Sequence, residues 1–101
     1  GKFDGKKKTE ETFALINREA AAETARQLRL RNLSGIILVD FINQDRAGAK
    51  ELLEFLCECC KTDPVPVRVV DMTPLGLVEI TRKKVRRPLA ELIREAKTAQ
   101  N

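Results

Sequence analysis

Residues 26–43 read RQLRLRNLSGIILVDFIN, a basic helix end passing through a turn into an apolar strand that carries one carboxylate, Asp40, near its tip. Asn32, Ser34 and Gly35 are helix-ending residues, and Gly35 tolerates the positive φ that a tight helix-to-strand turn often requires. Residues 36–42 are apolar except for Asp40, the pattern of a strand buried on both faces, which predicts a central strand. A carboxylate in such a strand is costly to bury alone, so Asp40 calls for a cation, a metal ion or several donors as its partner. Capping the following helix or pairing an arginine are the purely structural alternatives.

Upstream of this stretch, Thr9 as N-cap and Glu10 and Glu11 in a first turn predict a helix over about residues 10–31, preceded by a flexible basic lead-in over residues 1–8. Phe13, Ile16, Ala20, Thr24 and Leu28 share one helical face, while Arg18, Arg26 and Arg29 fall on the other, a candidate for phosphate contact better suited to salt bridging within the domain or a parent protein. Downstream, Gln44 or Asp45 opens a second helix with an apolar stripe of Ala49, Leu52, Leu53, Leu56, Cys57 and Cys60, stopped by Asp63-Pro64. Pro64 and Pro66 confine the next strand, about residues 65–71, to an edge or to a start near Val67. Thr73-Pro74-Leu75-Gly76 has the type I turn preferences and predicts an antiparallel hairpin with Leu77–Arg82. Strand, crossover helix and strand over residues 36–71 predict a parallel βαβ unit. Pro88, followed by Leu89, Leu92, Ile93 and Ala96 at helical spacing, predicts a C-terminal helix. The expected class is α/β, ordered helix-strand-helix-strand-strand-helix, with helices packed on a small mixed sheet.

At 101 residues the chain suits a single domain spanning residues 1–101. Its net charge of +4 favours an anionic partner, nucleic acid first. No apolar run approaches the roughly 20 residues of a membrane helix, and the lysine-rich start lacks a signal-peptide core, so a cytoplasmic protein without a membrane partner is expected. Cys57, Cys59 and Cys60 are an odd, clustered set and read as reduced thiols, Cys57 and Cys60 as small buried hydrophobes and Cys59 pointing away. With no histidine in the chain, neither a His base nor a four-ligand zinc site is available. Asp63 and Asp71 end elements and read as solvated or turn-forming.

Leu38-Val39-Asp40-Phe41-Ile42, the later LGLVEITRKK over residues 75–84, and Gly1-Lys2-Phe3 and Glu10-Glu11-Thr12 at the start together give a specific pattern. Over nearly its whole length the chain resembles the DNase I-like catalytic subdomain of the ribonuclease E/G family. The resemblance implies a magnesium-dependent endoribonuclease, manganese being the alternative ion, that cuts single-stranded RNA in RNA processing and decay. It places Asp40 on one of two aspartates that hold the metal. The other belongs to a Val-Asp-Val-Asn-like strand expected just before Gly1, so the chain reads as a fragment lacking that strand, inactive when isolated. Asn43 and Asp45 are candidates for outer oxygen donors, although the family more often has an acidic residue at the place of Asn43, and Asp45 is better suited to helix capping. Lys2, Arg82, Lys83, Lys84 and Arg86 are the candidate RNA contacts, since phosphate neutralisation gives affinity without sequence reading. Where the family usually has a basic residue shortly after the position of Asp63, this chain has Pro64-Val65-Pro66. Two other readings compete: a non-catalytic basic RNA-binding module, and a structural domain that self-associates, as a dimer, through the apolar edge of residues 36–42.

Overall fold

Two signals that stop helices, an asparagine and a glycine, set the entry into the sheet. The computed structural model describes residues 2–85, with side chains from Gly5 onward; Arg86 and the helix expected around residues 88–96 lie outside the described residues. Helix α1 runs over Lys2–Leu30. Asn32 takes a left-handed conformation, φ 47°, while its N–H donates to Arg29 O at 3.2 Å and that of Leu33 to Leu28 O at 3.0 Å, the Schellman pattern that satisfies end carbonyls. Gly35, φ 86°, then starts β1, Gly35–Asp40.

The start of α1 departs from expectation, because residues 2–8 are helical rather than a lead-in. Thr9 is not a cap: its Oγ1 donates back to Gly5 O at 2.9 Å, as Thr12 Oγ1 does to Lys8 O at 2.8 Å, the bonding of hydroxyls inside a helix. Lysine is a good helix former, and extending an existing helix adds one bond per residue, so missing apolar periodicity does not end it. Leu28 is buried as expected, but upstream of it the buried face lies one residue later, on Asn17, Ala21 and Ala25, with Ile16 exposed. Small alanines let the second helix, α2 over Arg46–Cys60, approach closely, an advantage that ranking side chains by hydrophobicity overlooks.

Helix α2 spans Arg46–Cys60 and buries Leu52, Leu56 and Cys60; β2 is Val67–Met72 and β3 is Leu77–Arg82. The sheet order is β1-β3-β2, with both outer strands antiparallel to β3. The α/β class stands, but two expectations are corrected. β1 and β2 run parallel without pairing, because the hairpin folds β3 back between them. β1 is therefore an edge strand among the described residues, with Ile36 70% and Leu38 63% exposed on the face away from the helices. Ile37, Val39, Val67, Val69 and Met72 pack on the other face against the core of Leu28, Phe41, Leu56, Val78 and Ile80.

A bulge between Val69 and Asp71 shifts the phase of β2 by one residue. Val70 and Asp71 both face outward and Met72 returns inward, which a strict two-residue alternation does not anticipate. The hairpin follows its sequence signature: Gly76 N–H donates to Thr73 O at 3.0 Å, Thr73 N–H to Leu77 O at 2.7 Å, and Gly76 is left-handed at φ 87°. Cys60 is buried as expected, while the other two thiols are placed differently. Cys59 is half-buried against the core and Cys57 exposed, since the stripe runs through Leu52, Leu56 and Cys60 and leaves position 57 a third of a turn away. Burial pushes the Cys60 thiol up to about 11, so it stays an inert thiol.

Candidate functional site

β1 ends at Asp40, whose side chain is exposed where the strand gives way to the loop into α2. Among the described residues no ion pair involves it, so no arginine in the core holds it. The loop beyond is held at Phe41, Ile42, Gln44 and Asp45. Phe41 N–H donates to Gly76 O at 3.2 Å; a Cβ on Gly76 would sit 2.9 Å from Phe41 O, which together with its positive φ requires glycine. Ile42 N–H donates to Asn17 Oδ1 at 2.9 Å, while Asn17 Nδ2 donates to Ile42 O at 2.8 Å and to Gln44 Oε1 at 3.0 Å. Asp45 caps α2, its Oδ1 accepting from Gly48 N–H at 2.7 Å. That capping bond favours the structural reading of Asp45 over an outer oxygen donor.

Asn43 is exposed and, with Gln44, lines two clefts on either side of the loop. One, of about 500 Å³, is closed by Lys6, Thr9, Glu10 and Phe13 of α1; the other, of about 560 Å³, by Arg46 and Lys50 of α2 and by the Asp71–Pro74 corner. A hard oxygen donor at an open strand end is the right chemistry for magnesium, which is usually held by one or two carboxylates with water and substrate phosphate. Asp40 fits one such ligand position. No cluster of three His, Cys, Asp or Glu side chains able to enclose a metal occurs among the described residues, so further ligands would be water, phosphate or groups outside them.

The basic residues are redistributed. Arg82, expected to reach RNA, is corrected: alternation on β3 puts it on the inner face with Val78 and Ile80, and its side chain is 3% exposed. Its Nε and Nη2 donate to Asp63 Oδ2 and Oδ1 at 2.9 and 3.0 Å, and its Nη1 donates to Asn32 Oδ1 at 2.9 Å and Leu33 O at 3.0 Å. Asp63 is likewise buried rather than solvated, and the Arg82 hydrogen bonds hold its carboxyl below the usual value against the upward pull of burial. Lys83 and Lys84 are exposed just beyond β3. In the β1–β3 register Asp40 faces Leu77 while Gly35 faces Arg82, which sets Lys83 and Lys84 about 17 Å or more from Asp40 at ~3.4 Å per residue. The side chain of Lys2 and all of Arg86 lie outside what is described. Of the arginine stripe on α1, Arg26 pairs with Glu23 at 3.1 Å, as expected, and Arg18 stacks over Phe55 with its guanidinium carbon 4.3 Å from the ring centroid.

The cations that line the two clefts beside Asn43 are instead Lys6, Arg46 and Lys50, residues that composition alone merges into a lead-in and a solvated helix face. Asn17 also escapes a sequence reading. Its only signal is a polar residue at the head of the 17-21-25-28 stripe.

The family model for the ribonuclease E/G family matches residues 1–85. Ribonuclease E of Synechocystis sp. is 43% identical over 93 residues, which cover 91% of this chain and 14% of that protein. Ribonuclease G of Haemophilus influenzae is 40% identical and that of Escherichia coli K12 38% identical, each over 94 residues covering 92% of this chain and 19% of the relative. The chain thus spans less than a fifth of the length of these curated relatives.

Proposed function

The chain belongs to the ribonuclease E/G family, and from that premise we propose that it is the part of an endoribonuclease that presents Asp40 to a magnesium ion for hydrolysis of single-stranded RNA. The observation that carries this reading is the position of Asp40: exposed, at the open end of β1, beside a pinned loop whose flanks are two clefts bearing lysine and arginine. A bound magnesium or manganese ion supplies charge stabilisation and an activated water for phosphodiester hydrolysis. Asp40 contributes a fixed oxygen donor, and Asn43 an amide on the cleft wall that orients phosphate or water. Lys6, Arg46 and Lys50 neutralise the RNA backbone on either side. With Asp40 the one carboxylate assigned to the ion among the described residues, the isolated chain is expected to be inactive, the parent protein completing the ligand set.

Lys83 and Lys84 bind RNA far from the cut. Replacing both by alanine in the parent enzyme is expected to raise KM several-fold with kcat unchanged, and to flatten the dependence of log Kd on log salt by about 0.7 per lysine, as single-strand counterion release requires. A fall in kcat with KM unchanged contradicts that assignment. We place the protein in the cytoplasm, where its three cysteines stay as free thiols. No helix among the described residues is long and apolar enough to cross a membrane.

The direct test is cleavage of matched single-stranded and duplex RNA by the parent protein. Cutting of the single strand alone, stopped by a chelator and restored by magnesium, is the expected result. Cleavage that persists under chelation removes the metal role; binding without any cleavage favours the non-catalytic RNA-binding module. Self-association has its own support in the exposed edge of β1 with Ile36 and Leu38. A dimer partner there is expected to be weakened by Leu38→Lys.

A further inference from the structure

We infer that Asn17, one helix away from the site, is a positioning residue for Asp40; the inference rests on the metal role proposed for that carboxylate. The β1–β3 ladder stops at the Asp40–Leu77 pair, and beyond it only Phe41 still bonds to the hairpin, through Gly76 O at 3.2 Å. At Ile42 the Asn17 carboxamide takes over. It is 1% exposed and bonds both the N–H and the C=O of Ile42, at 2.9 and 2.8 Å, the two contacts a neighbouring strand would otherwise make. A second amide hydrogen goes to the Gln44 side chain at 3.0 Å, and Gln44 lines both clefts.

The arrangement fixes Asp40 from two sides, by strand pairing before it and by Asn17 just after it, and ties the same loop to the cleft walls. An apolar side chain at position 17 would extend the Ala21, Ala25, Leu28 stripe and fill the space, yet leave two backbone groups of Ile42 without partners. What Asn17 adds beyond packing is the register of the Asp40 loop. A metal-binding carboxylate needs that register, since misplacement by a fraction of an ångström weakens ligation.

The test uses the parent enzyme carrying Asn17→Ala. The magnesium concentration for half-maximal cleavage is expected to rise about 10-fold and kcat to fall about 10-fold, with KM for RNA nearly unchanged, the size typical of losing a group that orients a metal ligand. Amide hydrogen exchange, read by mass spectrometry without metal or RNA, is expected to quicken over residues 41–45 and to stay unchanged in β2 and α2. A magnesium requirement like that of wild type, or an activity loss that matches the lost fraction of folded enzyme, overturns the inference. Should Asn17→Ala fail to fold, Asn17→Ser, which fits the same space and puts no charge beside the acceptors Ile42 O and Gln44 Oε1, carries the same predictions. Asp40→Asn serves as the control: if it cleaves normally, the metal reading falls and this inference with it, whereas an inactive Asp40→Asn beside an Asn17→Ala of normal metal requirement removes only the positioning role.

Discussion

Replacing Asp40 by asparagine in the parent enzyme is expected to cut RNA cleavage by about 1000-fold, corresponding to several kcal/mol of lost metal-ion stabilisation in the transition state. The substitution keeps the shape of the side chain and removes its charge. Because Asp40 is exposed and makes no ion pair among the described residues, nothing in the fold depends on that charge. The free energy of unfolding should therefore stay within about 0.5 kcal/mol of wild type, as for surface positions away from structural features. Activity lost and stability kept is a combination that a capping or core-pairing carboxylate does not give. Retained cleavage excludes the metal role, and a large drop in stability shows that Asp40 is structural.

The opposite pattern is expected for Arg82. Arg82→Met strands the Asp63 carboxylate, 1% exposed, without its guanidinium, and breaking a buried pair from one side costs about 3–5 kcal/mol. For a chain of this size that lowers Tm by more than about 10 °C. The loss reaches further than the pair, because Nη1 of Arg82 also holds Asn32 Oδ1 and Leu33 O, the turn that ends α1. Arg82→Met combined with Asp63→Leu should recover much of the stability, since no charge is then left buried alone. The pair also dictates a pH dependence. The hydrogen bonds from Arg82 lower the folded carboxyl of Asp63; its stabilisation is complete above the ordinary carboxylate value, about 4, and is lost as pH falls through the lowered folded value. Thermal melts of wild type and Arg82→Met between pH 7 and pH 2 should converge at the acid end; a difference that is constant with pH contradicts the assignment.

Local chemistry was readable where a few adjacent residues decide the outcome. Thr73-Pro74-Leu75-Gly76 specifies its turn because the proline ring and the left-handed glycine act within four residues, and Pro64 and Pro66 delay β2 to Val67 for the same reason. Asp40 stands out in sequence because an acid in an apolar run calls for a partner if it is buried, a premise that the exposed outer face of β1 removes. What was not readable depends on distant partners. Residues 36–42 are apolar on both faces, which announces contact on both sides but not that β3 would return beside β1 and leave Ile36 and Leu38 outward. Arg82 sits in a run of lysines and arginines and looks solvated; only the alternation set by Val78 and Ile80, plus an aspartate 19 positions earlier, reveals that it is inside. Asn17 is silent in sequence because two of its three hydrogen bonds go to backbone groups 25 residues away, and backbone groups have no sequence.

Whether Asp40 ligates a divalent ion is read by adding manganese to the chain and following paramagnetic broadening of its amide resonances. Broadening is expected to centre on Asp40 and Asn43, to spare Lys83 and Lys84 at the far end of the sheet, and to be absent from Asp40→Asn. Broadening that survives that substitution, or that centres elsewhere, contradicts the metal role.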